Sequence, residues 1–398
     1  MSQAAPDSTA PTSLTSTSWT IGFITAAFAV FALKLWLAYS TRGAPDMSAW
    51  RDFLNNIQQC GVCVYHTGGL MSHPTGERIT PFNHPPFIIH YLRMIGGLSN
   101  LIGLDFAFVF RAWTSCFDLV SALLVYKLLN RSGLFSPVKF LVYLLAPATI
   151  IISGFHGQTD TLMIFFVLLA AFLINKPLLS GLAFGCALSI KILPIVFALA
   201  FILYLPRRGR LIFAGSATVI SVLLAFPYIT QDPAVIIREV LGYGSFPGRW
   251  GWTRALFGVI GPSSAFWVIA RIGTYLLLAY IWYLSWKMNR SRVPLFIQCG
   301  LIAFVLLAFT PSWGANYMAW LDPFAATVGV LPALVYYSTS GWLLGYVYFI
   351  NDDESSRLIG IAWLGVLFAL WMYLRHLSDR VNAANLAKKP GTDTPVTE

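Results

Sequence analysis

Long apolar stretches alternate with short polar segments along the chain. A helix of about 20 mostly apolar residues is long enough to cross the ~30 Å hydrocarbon core of a bilayer. The pattern therefore predicts an all-α polytopic membrane protein, a single bundle of about 11–13 transmembrane or re-entrant helices over residues 20–381. The clearest apolar stretches are residues 20–39, 138–154, 210–229, 263–286, 293–310 and 358–374.

Residues 86–104 have a different periodicity. His90, Arg93 and Asn100 recur on one helical face, while isoleucines and leucines occupy the rest of the helix. This pattern is typical of an amphipathic helix at a membrane surface, and the preceding prolines favour a helix start. We expect this helix to lie along the outer interface without crossing the membrane.

The apolar segment 177–205 is too long for one ordinary span, and both of its ends must lie on the same side of the membrane. We expect two short helices, broken near Lys191 and Pro194. Irregular backbone at membrane depth is tolerated only beside protein or a water-filled cavity. The segment therefore predicts a cavity near Lys191.

Composition and charge agree with a membrane protein. The chain is 57% hydrophobic and 11% charged, against about 25% charged residues in soluble domains. The net charge of +10 does not indicate a nucleic-acid partner, because half of the 26 basic residues lie in four short stretches that the positive-inside rule places in the cytoplasm. The outer loops are then 40–104 and 230–260, and Lys34 and Arg42, at the outer end of the first span, run against the rule. The four basic stretches are 127–139, 207–210, 287–292 and 375–389.

The two termini and the cysteines complete the organisation. Residues 1–19 lack a basic signal-peptide region and are predicted to be a disordered tail before an uncleaved first span, and residues 382–398 a second disordered tail. Cys60 and Cys63 form a C-x-x-C without thioredoxin-like surroundings. They favour a local disulfide or two free thiols over a redox centre.

Two groups of charged residues within spans require an explanation, because ionisable groups there are costly. Arg111 and Asp118 lie on one face of the same predicted span. Either they form a structural pair between helices, or Arg111 borders an anionic ligand that Asp118 orients. Lys191 has no acid nearby in sequence, and a phosphate is a suitable partner for it.

The outer loops carry further candidates. Arg249 and Arg254 lie among tryptophans, which suits either an anchor at the interface or a lid over a sugar phosphate. Asp46 begins a short amphipathic helix at the membrane surface, where it is either a helix cap or a base that serves a lipid-bound substrate.

The segment HGQTD, residues 156–160, lies at a membrane rim between two apolar stretches. Thr159 and Asp160 are suitable caps for the following helix. Capping does not explain His156 and Gln158, which add hydrogen-bonding groups outside that helix. His156 and Asp160 could share a metal ion, but no further ligand cluster accompanies them, so no metal site is expected.

In their order, these motifs resemble the GT-C superfamily of integral membrane glycosyltransferases, which use polyprenyl- or dolichyl-phosphate sugars. The resemblance extends over most of residues 40–325. His84 replaces a tyrosine that is common in the family, and no histidine accompanies the GANY segment. The similar positions are Asp46 with Trp50, NHPPF around His84, RAWTSCFD (111–118), HGQTDTL (156–162), LSIKILPIVF (188–197) and FTPSWGANYMAWLDPF (309–324).

The resemblance implies a GT-C-like bundle with Asp46 as the catalytic base and no metal or other cofactor. The donor is expected to be a polyprenyl-phosphate hexose, with mannose or glucose as the sugar, and the acceptor a lipid-linked species or a glycan. The protein is expected to be a monomer surrounded by membrane lipids, in a bacterial inner membrane or the ER, with the site on the periplasmic or lumenal side. The donor phosphate is assigned to Lys191, Arg111, Arg249 and Arg254, and the sugar and acceptor pocket to His84, His156, Gln158, Asp160, Trp50 and Tyr317.

A different class of function remains open at this point. A secondary transporter, or a flippase for a lipid carrier, would also have broken helices and charges within the membrane. Such proteins more often show internal repeats, and they lack a long outer loop with an acid. Release of polyprenyl phosphate from a polyprenyl-phosphate sugar discriminates the two classes.

Overall fold

The predicted all-helical architecture is confirmed in a computed structural model, which describes residues 14–73, 76–242, 246–350 and 356–386. The helices in chain order are α1 (Leu14–Ser40), α2 (Asp46–Cys60), α3 (Val64–Thr67), α4 (Phe87–Ile102), α5 (Phe106–Arg131), α6 (Pro137–Leu144), α7 (Pro147–Thr149), α8 (Asp160–Phe172), α9 (Pro177–Ile190), α10 (Ile195–Tyr204), α11 (Arg207–Ile229), α12 (Pro233–Leu241), α13 (Gly251–Ile260), α14 (Ser264–Arg290), α15 (Leu295–Phe309), α16 (Asp322–Val328), α17 (Val330–Phe349) and α18 (Ser356–Leu386). A π-helix, Ile150–His156, follows α7, and a 3-10 helix, Ala315–Trp320, precedes α16.

Two small antiparallel sheets occur in the outer loops. The first is the hairpin of β1 (Gly69–His73) and β2 (Gly76–Thr80), which packs on α2. The second pairs β3 (Phe246–Pro247) with β4 (Ser312–Trp313). The second sheet joins the loop before α13 to the segment that leads into the 3-10 helix.

Membrane-spanning length is reached by six helical stretches within the described residues. Shorter apolar helices, α4, α8, α9, α10 and α15, pack among them. The protein is therefore a multi-pass integral membrane protein. The six stretches are Ile21–Ser40, Phe106–Arg131, Pro137–His156, Arg207–Ile229, Ser264–Arg290 and Leu358–Asp379.

Both predicted irregular segments are present. Helix α4 buries Ile88, Leu92 and Ile95 and packs against α2, α5 and α9. Its placement along the outer interface stays a prediction. The helix of 177–205 breaks where expected, because α9 ends at Ile190, Lys191 has an extended backbone, and α10 begins at Ile195.

The termini differ in part from the expectation. Helix α1 begins at Leu14 and α18 ends at Leu386, so helix replaces the predicted tails over residues 14–19 and 382–386. The remaining tail residues lie outside the described ranges. Cys60 and Cys63 are joined as a disulfide at the end of α2.

Arg111 and Asp118 do not form the structural pair that was one of the two alternatives for them. Asp118 on α5 pairs with Lys34 on α1 at 2.9 Å, and both side chains are buried. The two helices pack side by side, so Lys34 reaches the carboxylate across the interface instead of extending to the membrane surface. This ion pair joins the first two long spans.

Replacing Lys34 by methionine should destabilise the protein, because it leaves the Asp118 carboxylate buried without its cation. Breaking a buried pair by removing one partner costs about 3–5 kcal/mol. The double variant K34M/D118L removes both charges and should recover most of the loss. Thermal unfolding in detergent measures both variants, and a K34M protein as stable as the parent would contradict the role of the pair.

Candidate active site

The turn between the π-helix and α8 is the structural centre of the site. Gly157 in this turn has a φ of 78°, a conformation that favours glycine. A Cβ atom there would overlap the sulfur of Met47 on α2 and crowd Arg111. The turn therefore lies directly against the start of α2, which begins at Asp46.

Trp50 fastens α2 to this turn. Its indole Nε1 donates a hydrogen bond to the carbonyl of Gly157 at 3.0 Å, and its ring stacks on Phe110 of α5. Trp50 is fully buried. The structure therefore places Trp50 beneath the predicted pocket, where it positions α2.

Asp46 receives two hydrogen bonds from the segment singled out in the sequence. Its Oδ2 contacts Nε2 of His156 and accepts a bond from the Gln158 amide at 3.1 Å. Among the described residues, no hydrogen-bond partner reaches its Oδ1, and 26% of the side chain is exposed. The protein therefore holds one carboxylate oxygen, while no described group occupies the other.

The surroundings of Asp46 keep it ionised. Burial acts to raise the pKa of the carboxyl, but electrostatic attraction to the His156 ring and hydrogen bonds from His156 and Gln158 outweigh it. The charge of Lys191 adds to the effect, so the pKa lies below its ordinary value. Asp46 is thus a carboxylate at neutral pH and can accept a proton.

Asp160 lies at the other end of the same turn, in a second charged cluster. The carboxylate of Asp160 is fully buried. Each of its two oxygens accepts a hydrogen bond from Lys191 Nζ at 2.8 Å. It also accepts bonds from Asn316 at 2.7 Å and Trp320 at 2.6 Å. Both oxygens are occupied, so Asp160 is less able than Asp46 to take a proton from a substrate.

The expected capping roles of Thr159 and Asp160 are wrong. Thr159 is the N-cap residue of α8 but makes no side-chain capping bond. Asp160 is the first residue of the helix, and the partners of its carboxylate come from the break between α9 and α10 and from the 3-10 helix. Long-range partners replace the local cap because the broken helix brings Lys191 to this point.

His84 lies between the two charged clusters. Its ring packs on Trp50 with centroids 4.9 Å apart, and its ring hydrogen-bonds the backbone of Ile190. Burial, together with the charge of Lys191, lowers the pKa of His84 to about 3. His84 is therefore neutral at physiological pH and contributes hydrogen bonding without a charge.

Arg111 is placed at the base of the turn and not in a phosphate site. Its guanidinium donates to the carbonyls of Ala107, Ala38, Thr41 and Phe155 and to the Thr41 hydroxyl, at 2.8–3.3 Å. These bonds use all five N–H donors of an arginine. The assignment of Arg111 to the donor phosphate is wrong for this reason, since no donor remains for a ligand.

The remaining predicted residues lie at the edge of the site. Tyr317 stacks on Trp320 with centroids 3.9 Å apart, so it borders the Asp160 cluster. Arg254 lies on α13. Arg249 is exposed and lies just before α13, in the loop whose Trp250 ring stacks on the Trp313 ring. Neither arginine is a hydrogen-bond partner of Asp46 or Asp160 among the described residues.

Three residues of the site were missed by the sequence analysis. Asn316 and Trp320 lie in the GANYMAW segment, where only Tyr317 had been selected, and their polar side chains after a span were the available signal. Tyr348 on α17 contacts Nδ1 of His156 through its hydroxyl at 2.5 Å. No sequence signal distinguishes Tyr348 from the other tyrosines of that apolar helix. No group of three or more potential metal ligands occurs in the described part of the chain.

Comparisons with known proteins agree with this architecture. The sequence model of glycosyltransferase family 87 matches residues 82–308, more than half of the chain. The matched range includes His84, the turn and Lys191, while Asp46 precedes it. No curated protein matches the sequence.

Among solved structures, the fold is similar to that of ArnT from Cupriavidus metallidurans in the apo state. The TM-score is 0.50 at 13% identity, over 90% of this chain and 77% of that chain. A structure of ArnT from the same organism bound to undecaprenyl phosphate gives a TM-score of 0.46 at 15% identity, over 93% and 80% of the two chains. At this identity the similarity concerns the fold, and the expected GT-C architecture is confirmed.

Proposed function

Because the chain belongs to glycosyltransferase family 87, we propose that it transfers a hexose, mannose or glucose, from a polyprenyl-phosphate sugar to a lipid-linked or glycan acceptor. The observation that carries the proposal is that a partly exposed, ionised carboxylate, Asp46, and a cation, Lys191, lie at opposite ends of one turn. A base and a phosphate-binding cation are the two groups that such a transfer needs. The reaction is assigned to the periplasmic or lumenal side, in a bacterial inner membrane or the ER, by a monomer.

The chemical step uses the free oxygen of Asp46. Oδ1 takes the proton of the acceptor hydroxyl, while the oxygen of that hydroxyl attacks the anomeric carbon of the sugar. The bond between this carbon and the phosphate oxygen breaks, and the electron pair leaves with the lipid phosphate. Attack from the face opposite the phosphate inverts the anomeric centre.

Lys191 is assigned to the leaving phosphate. Its Nζ contacts both oxygens of Asp160, and an ammonium group has three N–H donors. One donor is therefore left for a phosphate oxygen, and 17% of the side chain is exposed. Asp160 acts in this scheme as the residue that positions Lys191.

The rest of the site is assigned by position. His84, His156, Gln158 and Tyr317 border the sugar and acceptor. Arg249 lies in the loop that the second sheet joins to the segment before the 3-10 helix, and Arg254 lies in the first turns of α13. Both are proposed to close over the phosphate. Trp50 and Arg111 support the turn from below.

Asp46→Asn should lower turnover about 10²–10⁴-fold while donor binding and the unfolding temperature stay unchanged, because the amide keeps the shape of the side chain but cannot take the proton. Turnover is measured as release of polyprenyl phosphate by the purified protein. Asp52→Asn on the same helix is the matched control, since its amide oxygen still accepts the Leu70 N–H. Normal turnover in Asp46→Asn, with a folded but inactive Asp160→Asn, would reverse the assignment.

Lys191→Gln should weaken binding of the polyprenyl-phosphate donor, because it removes the cation nearest the proposed phosphate. Lys191→Arg keeps the charge and should retain part of the affinity. Lys176→Gln, at the exposed start of α9, is the control. Binding of a labelled polyprenyl phosphate in detergent measures the three variants. Equal affinity of Lys191→Gln and the parent rules out the assignment.

Turnover should survive chelation by EDTA, because Lys191 is proposed to supply the positive charge for the leaving phosphate. The assay compares phosphate release with and without EDTA. Loss of turnover that Mn²⁺ or Mg²⁺ restores would show that a metal, and not Lys191, carries this role.

A further inference from the structure

The hydrogen-bond partners of His156 indicate which of its ring nitrogens carries a hydrogen. Asp46 is ionised and can only accept, so the His156 Nε2 that faces it must carry a hydrogen. With one ring hydrogen, on Nε2, Nδ1 has a lone pair and accepts a hydrogen bond, whereas a second ring hydrogen would make Nδ1 a donor. Among the described residues, the hydrogen-bond partner of Nδ1 is the hydroxyl of Tyr348, at 2.5 Å.

Tyr348 is held in place by the aromatic side chains around it. Its ring lies 4.8 Å from the His156 ring and 5.9 Å from the Phe155 ring, centroid to centroid. His156 itself is buried, at 4% exposure. The last turn of α17 therefore delivers a hydroxyl to a histidine that the chain places almost 200 residues earlier.

We propose that Tyr348 is a positioning residue whose hydroxyl donates to Nδ1 of His156, keeps the ring hydrogen on Nε2 and thereby directs that N–H onto Asp46. This inference deepens the proposed function and rests on Asp46 as the base. Without the hydroxyl, the ring can carry its hydrogen on Nδ1 instead. The Nε2 lone pair would then face the carboxylate, repel it and favour its protonated form.

Tyr348→Phe tests the proposal, because it keeps the ring packing and removes only the hydroxyl. We expect kcat to fall about 10–100-fold, the range for losing a hydrogen bond that orients a charged pair, with the KM for the donor unchanged. The acid limb of the kcat profile should move to higher pH, since Asp46 is then protonated more easily. Tyr346→Phe, two residues earlier on α17, is the control. The charged and titratable groups around Asp46 are His156, Lys191, Asp160 and His84, and all of them are retained in both variants.

A double-mutant cycle separates positioning from a structural role. Glutamine at position 156 has an amide that cannot change tautomer, so Tyr348→Phe should cost nothing further in the His156→Gln background. If Tyr348→Phe lowers kcat by the same factor in the His156→Gln background as in the parent, the proposal is wrong. An unchanged acid limb in Tyr348→Phe would also overturn it.

Nuclear magnetic resonance tests the tautomer without any activity. The chain has six histidines, and with ¹⁵N-labelled histidine the His156 signals are those lost in His156→Gln. We expect a protonated Nε2 and an unprotonated Nδ1 in the parent, and a mixture of tautomers in Tyr348→Phe. A parent with hydrogen on both nitrogens, or on Nδ1 alone, refutes the inference. If these spectra agree but Asp46→Asn turns over normally, the assignment of Asp46 as the base fails and the tautomer control by Tyr348 stands.

Discussion

The site depends on the hydrogen bonds of one buried group, the guanidinium of Arg111. It joins the end of α1, the first turns of α5 and the last turn of the π-helix through five hydrogen bonds to protein oxygens. A buried cation with every donor used is stable only while each of those segments stays in place. Arg111 therefore holds the turn at Gly157 against α2, and with it the two carboxylates at either end of the turn.

The turn from His156 to Asp160 lies between two carboxylates, those of Asp46 and Asp160. At one end the Asp46 carboxylate is partly open, and at the other the Asp160 carboxylate is closed by three donors. The difference between them is one of access and not of residue type. Because Lys191 is bound to Asp160, its charge acts on Asp46 without forming a direct salt bridge that would block the base.

Much of the molecule follows from patterns that are local in sequence. The length of the apolar stretches predicted the spans, and the periodicity of residues 86–104 predicted α4. The proline and lysine in the segment 177–205 predicted the break between α9 and α10. Each of these features depends on residues within a few turns of one another, so the sequence contains the necessary information.

The partners of the charged residues were decided by the tertiary structure. One of the two alternatives for Asp118 was a structural pair with Arg111, but Asp118 meets Lys34 from α1. Asp160 was expected to cap a helix but binds a lysine 31 positions later. In both cases the acid lies deep in the bundle, where its charge is stable only beside a cation, and the cation that packing brings closest is remote in sequence.

Helix length, periodicity and motif order are local properties, so the fold class, the broken helix and most of the residues that meet at the turn could be predicted from the sequence. The contacts among those residues depend on tertiary packing. All five donors of Arg111 are occupied by protein oxygens, and Tyr348 meets His156 through one contact across 192 residues. Hydrogen bonds are short and directional, so their assignment requires the relative positions of helices that no local pattern encodes.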